Sequence, residues 1–272
     1  MASSDQDSWL SSLDRYTLPQ ILSYQAEHIG AQSVAIREKA YGIWQSFTWQ
    51  EYLQYAKRVG LGLLALGLTR GENLAMVLDN HPEWLFTELG SQAVGAVTVN
   101  LFTSAASKEL TTILNRIDAA YVVVQDQEHV DKLLEAKEEL TKVKRVVYVD
   151  PTGMRSYVGH PWLLSFAELL RKGEELDRLE PQRFQKELAT GKPDEVALMI
   201  MTSGTTGVPK LAMLSHRNLS DIARKWLETT PIRVGDNWIS ITPTAWIVDQ
   251  MWGVGVALCG GMTMKAPKRG QR

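Results

Sequence analysis

The residues best suited to chemistry form one run, Thr202-Ser203-Gly204-Thr205-Thr206-Gly207-Val208-Pro209-Lys210. Glycines let backbone N–H groups approach an anion closely, and successive N–H groups can form an anion-binding concavity. The Thr and Ser hydroxyls add further donors, and Lys210 adds a point positive charge. These residue types in this order suit the phosphates of a nucleotide. The run is not a Walker A loop, because Lys210 follows Pro209 rather than Gly, and Leu211 stands where that motif carries Ser or Thr. On composition alone it also reads as a surface hairpin turn.

Elements on either side must hold such a loop. The apolar run Val196–Met201 reads as a buried strand leading into it, and Ser215 or His216 opens a helix reaching Trp226. Upstream, Leu18–Ile29 reads as a helix, and Ser33–Arg37 and Ile43–Phe47 as a hairpin closed by Lys39–Gly42. Thr48 and Glu51 have capping-box spacing ahead of a helix that Gly67 ends. Strands and helices then alternate. The strands are Asn73–Leu78, Ala96–Leu101, Tyr121–Val124 and Val146–Val149; the helices are Glu83–Val94, Ser107–Arg116 and Glu128–Leu140. Pro151–Pro193 is more polar, with one helix signal at Ser165 and Glu168, and reads as surface structure or a seam. After the loop come a strand at Trp238–Ile241, a helix at Val248–Leu258 and the start of a strand at Met262–Met264. The fold expected is α/β, with mostly parallel sheets flanked by helices. It divides into a first unit over residues 1–193 and an incomplete second unit, 194–272, that carries the loop.

Composition narrows the function classes. Apolar residues make up 44% and charged residues 22%, as in an ordinary globular protein, and a net charge of −2 gives no electrostatic case for nucleic acid. A single cysteine, Cys259, excludes an intrachain disulfide and suits a reducing compartment. The first residues lack a signal-peptide core, and no window has the purity of a membrane span, so a cytoplasmic protein is expected. The histidines (His28, His81, His129, His160, His216) show no metal-ligand spacing. His216 reads as a helix-start residue. Asp249 reads as a helix-start residue or, less simply, a buried catalytic carboxylate. The basic end, Lys265 to Arg272, suits an acidic partner or is a ragged end.

The loop closely resembles the signature of the adenylate-forming enzymes, which include acyl-CoA synthetases, luciferases and peptide-synthetase adenylation domains. Further segments follow in that superfamily's order. Phe47-Thr48-Trp49 with its helix, Arg70-Gly71-Glu72-Asn73 and Asp79-Asn80-His81-Pro82-Glu83-Trp84 are similar to long-chain fatty acyl-CoA synthetases. So are Gly95 to Leu101, Ala212 to Leu219 and Pro243 to Trp252. The resemblance implies ATP-dependent activation of a long-chain fatty acid. The carboxylate attacks the α-phosphorus, giving an acyl-adenylate and pyrophosphate, and coenzyme A then displaces AMP. By the same resemblance Thr202, Ser203, Gly204, Thr205, Thr206 and Gly207 hold ATP phosphates with Mg²⁺. Lys210 supports the loop or the departing pyrophosphate, and Trp246 lies near the acyl and adenylate site. The residue-level alternatives are a solvated lysine and a packed core tryptophan.

The sequence departs from the family in two ways. Leu211 follows Lys210 where the family prefers Gly, which implies strain or a distorted loop if that position needs positive φ or close backbone approach. The family is also about twice this long. The missing half would carry the acidic Mg²⁺ residue, the ribose-binding aspartate and the mobile C-terminal domain. The expectation is therefore an N-terminal portion, inactive alone, with a complementing C-terminal half as one partner and peripheral membrane association left open. A sheet stopping at Met264 would leave an unpaired edge. The competing readings are adenylation of another carboxylic acid and a non-catalytic nucleotide-binding or interaction fragment.

Overall fold

Two sheets organise the chain, and residues far apart in sequence build each of them. The computed structural model describes residues 9–40, 42–202 and 210–266. Helix α1 (Leu18–His28) begins at Thr17, whose side chain closes a capping box with Gln20. Strands β1 (Val34–Ala40) and β2 (Ile43–Thr48) pair antiparallel. Helix α2 (Trp49–Ala65) starts at the expected Thr48–Glu51 capping box, and Gly67 follows its end at positive φ.

Alternation then proceeds through β3 (Asn73–Val77), α3 (Pro82–Ala93), β4 (Val97–Asn100), α4 (Ser107–Arg116), β5 (Ala119–Val124), α5 (Gln127–Glu135) and β6 (Arg145–Tyr148). Helix α5 stops short of the expected Leu140. Tight turns such as Glu139 N–H to Ala136 O replace the helical ladder there.

The polar stretch 151–193 is more structured than its composition suggests. It supplies the edge strand β7 (Leu163–Ser165) and helices α6 (Phe166–Leu179) and α7 (Arg183–Thr190). Ser165 and Glu168 form the capping box of α6. Helix α6 lies so close to α2 that a Cβ on Gly173 would sit 1.9 Å from Arg58 O, and one on Gly62 2.3 Å from Leu169 O. The remaining elements are β8 (Val196–Thr202), β9 (Lys210–Ser215), α8 (His216–Thr229), β10 (Asn237–Ile239), a continuous helix α9 over 247–260 and β11 (Thr263–Ala266).

The larger sheet has seven strands in the order β7-β6-β5-β3-β4-β8-β9, all pairs parallel except β8 with β9. Alternate residues of its strands face opposite ways. Leu74, Met76 and Val123 join one apolar core with α1, α2 and α3. Ala75, Val77 and Val122 join the other, with α4 and α5. The smaller sheet runs β10-β11-β1-β2. Strand β11 is therefore not an open edge. It is bonded to β10 on one side and to β1 on the other, and Met264 is buried. The boundary expected at residue 193 falls between α7 and β8, and β8 pairs with β4 across it.

Helix α9 contains a π segment, Gln250–Val256. Its last turn holds the buried Cys259, whose carbonyl accepts from Gln25 Nε2 at 3.0 Å. No helix among the described residues is long and apolar enough to cross a membrane.

Candidate functional site

Strand β8 carries the chain outward from the core, and β9 returns it antiparallel, with Thr202 opposite Lys210 and Met201 opposite Leu211. The two ends of the expected phosphate loop are thus held in one ladder. Thr202 Oγ1 donates to Lys210 O at 3.2 Å, and both residues are exposed. Ser203, Gly204, Thr205, Thr206 and Gly207 lie outside the described residues, as does the basic stretch 267–272. The hairpin reading and the phosphate reading are compatible in geometry, since a seven-residue connection bridges a paired hairpin.

Leu211 takes no strained conformation. It is extended within β9, and among the described residues the sole non-glycine residue at positive φ is Asp118. Its half-buried side chain packs with Met199 and Met201 on the core formed with α4 and α5. The backbone strain that a missing glycine would imply at positive φ is absent, because a strand residue has negative φ and accepts a side chain.

An apolar groove of about 720 Å³ opens at the end of this hairpin. Ile200, Met201, Ala212 and Leu214 form one wall, Phe102 and Trp246 with their neighbours the other, and Thr202 stands at the mouth. Trp246 is 50% exposed, so it is a groove residue rather than a core one. Lys210 does not line the groove. A second cavity of about 420 Å³, lined by Trp9, His28, Leu227 and Arg233, lies at the other end of α8 from the hairpin.

Side chains, not sheet bonds, fix the segment that carries Trp246. Asp249, in the first turn of α9, is fully buried. Its Oδ2 accepts from Thr242 Oγ1 at 2.8 Å and Asn80 Nδ2 at 3.0 Å, and its Oδ1 from Trp238 Nε1 at 3.3 Å. Burial raises its pKa, and the hydrogen bonds from Thr242, Trp238, Ser240 and Asn80 oppose that rise. Asp249 is both a helix-start residue and a buried carboxylate, but its partners are hydrogen-bond donors that tie loops together. Nearby, Gln250 Nε2 donates to Thr244 O at 3.0 Å, and Thr244 Oγ1 to Leu78 O at 2.8 Å.

His216 is the first residue of α8, as expected, and is deeply buried. Its Nδ1 accepts the Leu18 N–H at 3.2 Å, and burial first, then Arg70, lowers its pKa to about 3. It joins two helices and takes no part in the groove.

The sequence reading missed Glu88. This carboxyl is fully buried on α3 and accepts from Gln92 at 2.7 Å, Asn100 at 2.8 Å, Trp84 at 3.3 Å and Thr98. Burial raises its pKa, and the hydrogen bonds from Thr98, Asn100, Trp84 and Gln250 pull against the rise. No sequence signal marked it, because Glu83, Thr87, Glu88, Ser91 and Gln92 recur at helical spacing and read as a solvated face, whereas residues 84–93 are all buried in the fold. Among the described residues no group of three or more His, Cys, Asp or Glu could hold a metal ion.

The family model for the AMP-binding enzymes matches residues 24–272. The chain belongs to the AMP-binding enzyme family. Among curated AMP-binding relatives, it is 25% identical over 264 residues to the long-chain-fatty-acid–CoA ligase ACSBG2 of Xenopus laevis, covering 95% of this chain and 35% of that protein. It is 28% identical over 226 residues to the long-chain-fatty-acid–CoA ligase heimdall of Drosophila melanogaster, covering 79% and 32%. The chain thus spans about a third of the length of the curated relatives it matches. The fold is similar to that of the anthranilate CoA ligase AuaEII in complex with anthranoyl-AMP (TM-score 0.77, 20% identity, 92% of this chain and 45% of that one). It is also similar to a putative long-chain-fatty-acid CoA ligase from Rhodopseudomonas palustris (TM-score 0.74, 18% identity, 94% and 58%).

Proposed function

We propose that this AMP-binding chain contributes the phosphate loop and part of the acyl groove to an ATP-dependent ligase that activates a long-chain fatty acid and passes it to coenzyme A. The observation that carries this reading is the apolar groove opening directly beside the paired ends of the loop, at Thr202 and Trp246. An acid whose chain lies along Met201, Leu214 and Trp246 would bring its carboxylate to the loop, where the α-phosphate of ATP would meet it. Holding two reactants in register is the main contribution such a site can make, since phosphoryl and adenylyl transfer need positioning and charge stabilisation more than a protein nucleophile.

In this reading Thr202, Ser203, Thr205 and Thr206 donate hydroxyls, and Gly204 and Gly207 backbone N–H groups, to the β- and γ-phosphates. Lys210 stands at the loop's base with its charge toward the departing pyrophosphate. Mg²⁺ bound to those phosphates would supply further charge neutralisation. Ile239, Ile241, Trp246 and Ile247 are exposed apolar side chains on the segment leading into the groove. They suit uptake of the acid from a membrane surface.

The test is a titration of the 272-residue chain with a pyrene-labelled long-chain carboxylate, with and without MgATP. Binding that Met201→Arg and Trp246→Ala weaken by about tenfold or more is expected. No binding, or binding indifferent to both substitutions, overturns the acyl assignment. Palmitate-dependent ATP–pyrophosphate exchange by this chain alone is expected to be undetectable. We propose that adenylation needs residues beyond these 272, and robust exchange would overturn that part.

A further inference from the structure

We propose that Asn80 is a positioning residue for the groove: through Asp249 it sets where the wall carrying Trp246 stands. This deepens the acyl reading above and rests on it only for the nature of the ligand.

Ser240 N–H makes a ladder-like bond to Lys265 O at 3.0 Å. Beyond it, residues 241–246 make no further ladder bond to the described residues; the Gln250 N–H donates to Trp246 O at 3.4 Å, and the other bonds that tie the stretch down involve side chains. Ile241 is 76% exposed and Trp246 50% exposed, and Ala245 is the buried apolar residue of this stretch, so apolar burial fixes it at one small side chain. Thr242 Oγ1 bonds Asp249, Thr244 Oγ1 bonds Leu78 O, and Gln250 bonds Thr244 O.

One amide serves three of the anchor points. Asn80 Nδ2 donates to Thr242 O at 2.8 Å and to Asp249 Oδ2 at 3.0 Å, and it also contacts Ser240 Oγ. It reaches the wall from the turn between β3 and α3, which is otherwise remote in sequence. Asp249 in turn is a carboxylate whose partners are all neutral donors. Its place depends on hydrogen-bond geometry, and a buried acceptor that loses a donor carries the full desolvation cost of that loss. Removing the Asn80 amide therefore takes a donor from Thr242 O and from Asp249 together, on both sides of Trp246. A neutral amide is required here. A carboxylate at position 80 would face Asp249 with like charge.

The experiment uses the 272-residue chain labelled with 5-fluorotryptophan, the Trp246 resonance being assigned with Trp246→Phe. Asn80→Ala should shift or broaden the Trp246 signal and weaken the pyrene-carboxylate by about tenfold. Asn80→Asp should do the same. The exchanged pair Asn80→Asp with Asp249→Asn restores a donor facing an acceptor between positions 80 and 249 and removes the like charge, but not the donor to Thr242 O that is lost, so it should bring the signal part of the way back. A control with a structural loss elsewhere is Trp162→Phe, which removes the 2.9 Å bond to Val143 O. It should lower the melting temperature and leave Trp246 unmoved. The proposal is overturned if Asn80→Ala leaves the Trp246 signal in place, if Trp162→Phe moves it equally, or if the exchanged pair is no better than Asn80→Asp alone. Should the unsubstituted chain fail to bind the carboxylate at all, the acyl reading falls, while the fluorine signal still decides the role of Asn80.

Discussion

The buried imidazole of His216 accepts the Leu18 N–H and is held neutral, with its pKa lowered to about 3 by burial first and by Arg70 second. In the unfolded chain it would take up a proton near pH 6.5. Between those limits the unfolded state binds more protons than the folded one. The stability that depends on the neutral ring is therefore complete above about pH 6.5 and is lost as pH falls. The slope from this group is about 1.4 kcal/mol per pH unit. His216→Asn should flatten the stability profile between pH 6.5 and 5, measured by urea unfolding, and an unchanged profile would contradict the linkage. What the sequence showed at this scale was local. His216 was legible as the first residue of a helix because Ser215 caps it three residues before Asn218. Its partner Leu18, 198 residues away, was not legible. The same holds for Asn80, which stood in a recognisable run of residues while its bonds reach Thr242 and Asp249, more than 160 positions on.

At the level of elements, β9 and the α2–α6 pair carry the clearest consequences. Strand β9 was invisible in the sequence. Lys210–Ser215 has no clean alternation, and its pairing with β8 arises from the hairpin geometry. Once it is seen as a strand, Leu211 changes meaning. Leu211→Gly would remove a half-buried side chain and loosen an edge strand. A loss of about 2 kcal/mol in stability is expected, with faster hydrogen exchange along β9. Relief of strain would instead raise stability and slow that exchange. In the α2–α6 pair, Gly62 and Gly173 let the two helices touch backbone to side chain and backbone to backbone. Gly173→Ala brings a better helix former, by about 1 kcal/mol, yet pushes a methyl against Arg58 O. Net destabilisation of about 1–3 kcal/mol, read from the melting temperature, is expected because neither backbone can give way cheaply. The Ser165–Glu168 cap made the start of α6 legible. The depth of its packing was not, because surface-like charge along Arg171 to Lys192 hides the buried stripe of Phe166, Leu169 and Gly173.

Taken whole, the molecule ties its early and late segments together twice. Strand β8 joins the larger sheet through β4, and β11 joins the smaller one through β1. Unfolding by urea should therefore be one transition, with fluorescence and far-ultraviolet dichroism coinciding. A separately melting 194–272 segment would contradict this. The α/β class and the order of most elements followed from periodicity and caps, whereas strand order depends on pairings over hundreds of residues that periodicity does not encode. One feature of this architecture offers a practical use. The chain has a single thiol, Cys259, sealed in the last turn of α9 with its pKa pushed up to about 12. A disulfide reagent at pH 8 can react with it only when that turn opens, so the labelling rate is a clock for local opening. The same helix begins at the groove wall, at residues 247 and 248. A ligand that settles against that wall should slow the clock, which would report occupancy without any need for turnover.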